Sequence, residues 1–243
     1  MNISSAIFDR SAQDLDSCPD ESLPEFAFIG RSNVGKSTLL NFLAGKQGLA
    51  RVSAMPGFTK LINTFTMTKT WRLVDLPGYG FAQVARQDKA KFNEAVAHYL
   101  KNRPNLCCVF ALIDSSLPPQ KIDLEFVEWL INSSIPFVLV FTKTDKVNAA
   151  TVQANMAAFT ERVSEWCESL PEVFTCSATA RHGRRDLLGV IEAGIASFQA
   201  EAHANPEQPP VDAETPSEEL PVRGQSVSGP PVRAKHSKSA RPW

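Results

Sequence analysis

The run Gly30-Arg31-Ser32-Asn33-Val34-Gly35-Lys36-Ser37 constrains this chain more than any other feature. It fits the pattern G-x-x-x-x-G-K-[ST] and stands between an apolar stretch, Glu25 to Ile29, and a segment of helical character from about Lys36 to Leu43. A strand that turns directly into a helix aims successive backbone N–H groups and the positive end of a helix dipole at one point, which suits a diphosphate. The glycines permit the tight wrap. Lys36 would reach the β- and γ-phosphate oxygens, the Ser37 hydroxyl would ligate Mg²⁺, and the backbone from Gly30 to Thr38 would line the phosphates.

The rest of the chain repeats this alternation of strand and helix. Leu61 to Met67 and Trp71 to Leu76 read as two strands joined by a polar turn around Lys69, a hairpin. Arg86 to Lys101 follows as a helix, then strand Cys107 to Ile113, helix Gln120 to Ile131, strand Phe137 to Phe141, helix Ala149 to Leu170, strand Val173 to Cys176 and helix Arg185 to Phe198. This order predicts an α/β fold of three layers, with a mostly parallel six-stranded sheet covered on both faces. Residues 1–23 are expected to be an N-terminal extension, 24–199 the folded domain, and 200–243 a Pro-rich disordered tail, either simply solvated or an interaction arm.

Composition narrows the class further. Hydrophobic residues make up 43% and charged residues 21%, enough apolar material for a full core. With 25 Lys plus Arg against 26 Asp plus Glu, bulk charge points neither to nucleic acid nor to an anionic membrane. The five cysteines are odd in number and form no metal-site or disulfide spacing, which suits a reducing compartment. The longest apolar runs fall far short of the roughly 20 residues that span a bilayer, so a cytoplasmic protein is expected.

Three downstream elements select the nucleotide. Asp75-Leu76-Pro77-Gly78 follows an apolar strand, placing a carboxylate where it holds Mg²⁺ through water and the Gly78 N–H where it meets the γ-phosphate. Thr142-Lys143-Thr144-Asp145 also comes at the carboxyl end of a strand, where α/β sheets bind ligands. A carboxylate there accepts from both N1–H and the exocyclic amine of guanine, a donor pair adenine lacks, so Asp145 selects GTP over ATP. Lys143 would lay its stem along the purine, and Ser177-Ala178 would offer a backbone N–H to guanine O6. Between P-loop and hairpin, the loop Ser53 to Lys60 has the composition of a mobile switch, with Thr59 as a second Mg²⁺ ligand or an ordinary pre-strand threonine.

These elements in this order resemble the EngB (YihA/YsxC) GTP-binding proteins, within the TrmE-Era-EngA-EngB-septin group of Ras-like P-loop GTPases. The resemblance spans about Pro24 to Phe198. It rests on Gly30 to Asn41, Pro56-Gly57-x-Thr59 with Leu61-Ile62-Asn63, the run Val74 to Ala82, Thr142-Lys143-x-Asp145-Lys146, and Ser177-Ala178. It implies a GTP-binding factor for assembly of the large ribosomal subunit, needed for normal bacterial cell division and septation. It also implies nucleotide contacts at Gly57, Phe58, Thr59, Lys60 and Leu61 and at Cys176, Ser177 and Ala178, with Mg²⁺ on Ser37 and Thr59.

Two departures from the wider Ras-like pattern bear on mechanism. Tyr79 follows D-x-x-G where a water-orienting glutamine usually stands, so hydrolysis is expected to be as slow as the about 10⁻⁴ per second of unassisted Ras, or slower, unless a partner or cation assists. Thr142 replaces the usual asparagine, which predicts weaker nucleotide affinity. Asn33 either binds K⁺ beside the phosphates, as in related GTPases, or turns the loop through its own backbone. The expected catalytic groups are Lys36, Thr59 and Gly78, and a monomer is expected. Three readings stand: a slow GTP hydrolase, a nucleotide-dependent binding module, and a P-loop ATPase or kinase, which Asp145 opposes. The basic residues Lys60, Lys69, Arg72, Arg86, Lys89, Lys91, Lys101 and Arg103 are either an RNA-binding patch or a solvated face.

Overall fold

The computed structural model of the chain describes residues 1–50, 61–79 and 86–204, with side chains from residue 94 onward in the last block. Its elements in chain order are β1 (Ala6–Ala12), β2 (Glu25–Gly30), α1 (Lys36–Ala44), β3 (Ile62–Met67), β4 (Trp71–Asp75), α2 (Arg86–Asn102), β5 (Leu106–Asp114), α3 (Lys121–Asn132), β6 (Phe137–Thr142), α4 (Ala149–Ser164), β7 (Val173–Thr175) and α5 (Arg184–Ala204). The strands form one sheet in the order β1-β3-β4-β2-β5-β6-β7. From β4 to β7 every pairing is parallel, whereas β1, β3 and β4 pair antiparallel.

Because side chains alternate across a strand, each parallel strand feeds two cores. Ala27, Ile29, Val74, Leu76, Val109, Ala111, Leu139 and Phe141 face one side, where α2, α3 and α4 supply Tyr99, Phe126, Leu130, Phe159 and Val163. Phe26, Phe28, Leu73, Phe110, Leu112, Val138 and Val140 face the other, against Leu39, Leu40 and Leu43 of α1 and Leu187, Leu188 and Ile191 of α5. The three-layer α/β architecture expected from the alternation is therefore present. β2 lies between β4 and β5, and the chain leaves it first toward one side and later toward the other, which opens a crevice at the carboxyl ends of these strands.

Among the described residues the sheet has seven strands where the pattern predicts six. The extra one is β1, in which only Ala6 and Ala12 are buried while Ile7 and Phe8 stand about half exposed. An edge strand held by backbone pairing to β3, with a register shift between Phe8 and Arg10, carries no apolar alternation for a sequence reading to detect. The hairpin turns through Thr68, Lys69 and Thr70, with Thr68 and Lys69 at positive φ and Thr70 N–H donating to Met67 O at 3.0 Å.

Helix α4 stops at Ser164 rather than near Leu170. There the backbone tightens to Glu165 N–H→Arg162 O and Trp166 N–H→Val163 O, and Trp166 and Cys167 fold back onto the core. In contrast, α5 runs on through Ala204, beyond the expected end at Phe198. Residues 205–243, on which most of the expected disordered tail falls, lie outside the described residues.

At the amino end of β2, the buried Glu25 carboxylate receives Arg103 Nη2 at 2.6 Å, Arg103 Nε at 2.9 Å and the Tyr99 hydroxyl at 2.7 Å, with Arg72 Nη1 at 3.6 Å. Arg103 also donates to Pro19 O at 2.8 Å, tying the segment before β2 under the sheet. Two members of the expected basic patch, Arg72 and Arg103, are thus interior residues with their charge already answered. A third, Lys101, lies over the Trp129 ring at 5.4 Å, and Lys69 is exposed on the hairpin turn. Lys60 and the side chains of Arg86, Lys89 and Lys91 lie outside the described residues.

Candidate nucleotide-binding site

β2 delivers Gly30 to the crevice. A Cβ there would lie 2.7 Å from Leu112 O, so only glycine lets β2 and β5 close at this point. The chain then turns through Arg31 to Gly35, with Asn33 at φ 65° and Gly35 at φ 98°. Gly35 stands at the N-cap of α1 with no side chain capping the helix, and the first turn carries no acidic residue. The leading N–H groups and the dipole of α1 are thus available to an anion. Ser37 and Thr38 lie in that first turn, and Asn33 is exposed. Asn33 thus adopts the left-handed backbone that asparagine tolerates better than most residues.

Lys36 is buried and its Nζ pairs with the Asp75 carboxylate at the end of β4, so the phosphate-loop lysine and the D-x-x-G aspartate meet directly. Beyond them, Gly78 is pressed onto the loop: a Cβ would stand 2.7 Å from Gly30 O. Tyr79 N–H donates to Gly30 O at 3.3 Å and Ser32 N–H to Tyr79 O at 3.2 Å, so the two loops are stitched by backbone. The Tyr79 ring turns away from the crevice and packs on Phe126 of α3, centroids 4.7 Å apart. Burial, then the neighbouring Asp123 carboxylate, holds its phenol well above the usual range. Leu76 and Pro77 are buried in the approach to Gly78.

At the end of β6, the Thr142 hydroxyl donates to Val34 O at 2.7 Å and lies 3.2 Å from Ile113 O, bridging the phosphate loop to the second loop. Lys143 adopts φ 59° and donates to Asp114 Oδ2 at 2.6 Å, its stem running past Gly35, where a Cβ would lie 3.9 Å from Lys143 Cε. The Ser177 hydroxyl donates to Asp145 Oδ1 at 2.6 Å and itself receives Ala180 N–H at 2.9 Å. That donation is the chief reason the Asp145 carboxyl sits below the ordinary aspartate value. The Thr144 hydroxyl reaches Cys176 O at 3.4 Å, joining this loop to the one after β7, which carries Ala178.

The fold thus gathers Gly30 to Thr38, Asp75 to Gly78, Thr142 to Asp145 and Cys176 to Ala178 along one sheet edge. Gly57, Phe58, Thr59 and Lys60 lie outside the described residues, and Leu61 is half-buried just before β3. Asn41 pins Ala50, where that loop departs, through Nδ2→Ala50 O at 2.9 Å and Ala50 N–H→Oδ1 at 2.8 Å. Sequence reasoning missed three supporting residues. Asp114 holds Lys143, Asp123 faces Arg31 and Tyr79, and Arg184 donates to Leu43 O at 2.7 Å, closing the last loop on α1. Only Asp114, at the carboxyl end of an apolar run, left a readable signal.

A strand-loop-helix turn with the phosphate-loop sequence abutting D-x-x-G, with Asp145 just past the carboxyl end of β6, defines the class as a P-loop GTPase. The family described as "50S ribosome-binding GTPase" matches residues 25–143. Beyond that class, the chain belongs to the EngB family of GTP-binding proteins. It is 47% identical to the "Probable GTP-binding protein EngB" of Christiangramia forsetii over 193 residues, 79% of this chain and 97% of that protein. It is 45% identical to the Bacteroides fragilis relative of the same description, over 79% of this chain and 96% of the relative. In fold it is similar to a crystal structure of an engB GTP-binding protein at TM-score 0.59 and 24% identity, covering 71% of this chain and 99% of that one. It is also similar to Era in complex with MgGDPNP and a 16S ribosomal RNA segment, at TM-score 0.55 and 21% identity, covering 72% of this chain and 56% of that one.

Proposed function

We propose that this GTPase is a nucleotide-dependent switch that hydrolyses GTP slowly, acts in assembly of the large ribosomal subunit and is needed for normal cell division and septation. The contact of Gly78 with Gly30 carries the reading. It brings Gly78 against the phosphate loop, and in this reading the presence or loss of a γ-phosphate on the Gly78 N–H decides how the two loops sit. The match of residues 25–143 to the family described as "50S ribosome-binding GTPase" supports the ribosomal role, and the cell-division role rests on the resemblance to EngB alone.

In this reading guanine is fixed by Asp145, which accepts from N1–H and the exocyclic amine while Ser177 holds it ionised. The diphosphate lies on the N–H groups of residues 31–38, with Lys143 along the purine and Ala178 toward O6. Lys36 leaves Asp75 for the phosphate oxygens, and Asp75 is released in the same movement. A serine hydroxyl and one buried carboxylate are hard oxygen donors that fit Mg²⁺, which takes few protein ligands beside phosphates and water. Ser37 would ligate the ion directly, Asp75 through water, and Thr59 would be the second direct ligand. Bound there, it would neutralise charge between the β- and γ-oxygens.

Water attack on the γ-phosphate finds no helper at position 79, because the Tyr79 hydroxyl is buried against α3. Slow intrinsic turnover follows, with a ribosomal partner or K⁺ at Asn33 as the accelerator. The same burial favours a second reading, a binding module with negligible hydrolysis of its own. We place the protein in the cytoplasm as a monomer, with the residues after Ala204 as an appended tail. Co-sedimentation with ribosomal subunits tests the reading: the GTP-loaded chain should pellet with the large subunit, and the GDP-loaded and Asp145→Ala forms should not. Equal pelleting of all three would refute it. Turnover with and without subunits, in K⁺ and in Na⁺, separates the hydrolase from the module, and ATP outcompeting GTP would restore an ATPase or kinase.

A further inference from the structure

Behind the phosphate loop lies a buried polar cluster that the proposed function leaves unused. Arg31 Nε, Tyr79 Oη and Asp123 Oδ1 are each fully enclosed, and none has a hydrogen-bond partner among the described residues. They come from three elements: the loop after β2, the loop after β4 and the first turn of α3. Arg31 Nε stands 3.5 Å from Asp123 Oδ2, so the guanidinium balances the carboxylate's charge. The Tyr79 phenol lies beside the same carboxyl, close enough for each group to shift the other's titration, yet the two are not aligned in a full hydrogen bond. Tyr79 is 2% exposed and Asp123 1%.

Buried polar groups are almost always paired, and leaving one unpaired costs more than a pair contributes. Here the deficits are complementary. Tyr79 has a proton to give, and Asp123 Oδ1 has lone pairs to receive it. Tyr79 is also the residue after Gly78, and its backbone is stitched to Gly30 and Ser32 while its ring rests on Phe126. A γ-phosphate that draws the Gly78 N–H therefore carries Tyr79 with it. Packing around the ring confines that movement to the region of α3.

We propose that Asp123 is a positioning residue for γ-phosphate recognition: in the GTP state the Tyr79 hydroxyl donates to Asp123 Oδ1, and this bond fixes Gly78 against the phosphate. Burial pushes the Asp123 carboxyl above the ordinary aspartate value, and the Arg31 guanidinium works against that rise. Because Asp123 belongs to the first turn of α3, the same bond reports the nucleotide state to that helix. The inference rests on the GTP reading of the site and adds a residue and an output element to it.

The test titrates GDP and a non-hydrolysable GTP analogue into the full chain, the Tyr79→Phe variant and the Asp123→Asn variant. Each substitution should weaken the analogue about tenfold, the worth of one hydrogen bond to a charged group, and leave GDP unchanged. Amide hydrogen exchange across α3 should differ between GDP and analogue forms of the parent chain, and that difference should vanish in both variants. If Tyr79→Phe binds both ligands like the parent, or loses both equally, the hydroxyl is mere filling and the proposal falls. Tyr79→Phe decides the matter alone if Asp123→Asn does not fold. A parent chain that binds neither ligand overturns the GTP reading, and the inference with it. Normal parent binding with unaffected variants overturns the inference alone.

Discussion

In the proposed reading a single carboxylate, Asp145, selects the base. Two charge-assisted hydrogen bonds to guanine are worth about 3 kcal/mol together, so Asp145→Asn should weaken GTP on the order of 100-fold. The asparagine amide can donate to the C2 carbonyl of xanthine, and competition titration should show the preference turning to XTP. The Ser177 bond adds a pH dependence. Since Asp145 titrates below the ordinary aspartate value, it stays ionised as pH falls into that range, and guanine binding is lost only below its own depressed pKa. Ser177→Ala removes the main cause of the depression, so nucleotide titrations across pH should show binding failing at a higher pH than in the parent.

Elements meet in this protein through a few residues whose environment the strand pattern does not reveal. Glu25 opens β2 as an apparently polar interruption, yet it answers both Arg72 and Arg103 inside the protein. Glu25→Gln would leave two buried guanidinium groups without their central carboxylate, and urea denaturation should show a loss of about 3–5 kcal/mol. Gly194 does the corresponding service for α5. A Cβ there would stand 2.7 Å from Phe26 Cε1, and Phe26 is wedged between Trp71 and Phe110 at centroid distances of 5.7 and 6.5 Å. Gly194→Ala should cost about 1–3 kcal/mol by the same measurement, outweighing the about 1 kcal/mol that alanine contributes to a helix.

Across the whole molecule, four loops from four parallel strands meet at one edge, so ligand binding and global folding are linked. A ligand at 100 times its Kd stabilises the native state by about 2.7 kcal/mol, which for a domain of this size is about 5–10 °C in Tm. GDP at that concentration should produce such a shift in a thermal melt, and ATP at the same concentration should produce none. The two cores on opposite faces of the sheet, joined through every parallel strand, give a physical basis for a single unfolding transition.

The sequence by itself determined the strand-helix order, the phosphate loop and the carboxylate proposed to read guanine. Each is written in local chemistry: periodicity, glycines where the backbone must approach closely, and a charged motif at a strand's carboxyl end. Only the tertiary structure decided the edge strand β1, whose pairing is made by backbone and leaves no apolar pattern. It alone showed that Arg72 and Arg103 belong to the interior, since an arginine 78 residues from its partner carries no local sign of it. It alone turned the Tyr79 ring toward Asp123 and Phe126, because the contact joins a loop to a helix of another layer. Short-range geometry is encoded residue by residue, whereas burial of a charge or a phenol depends on what the rest of the chain brings to meet it.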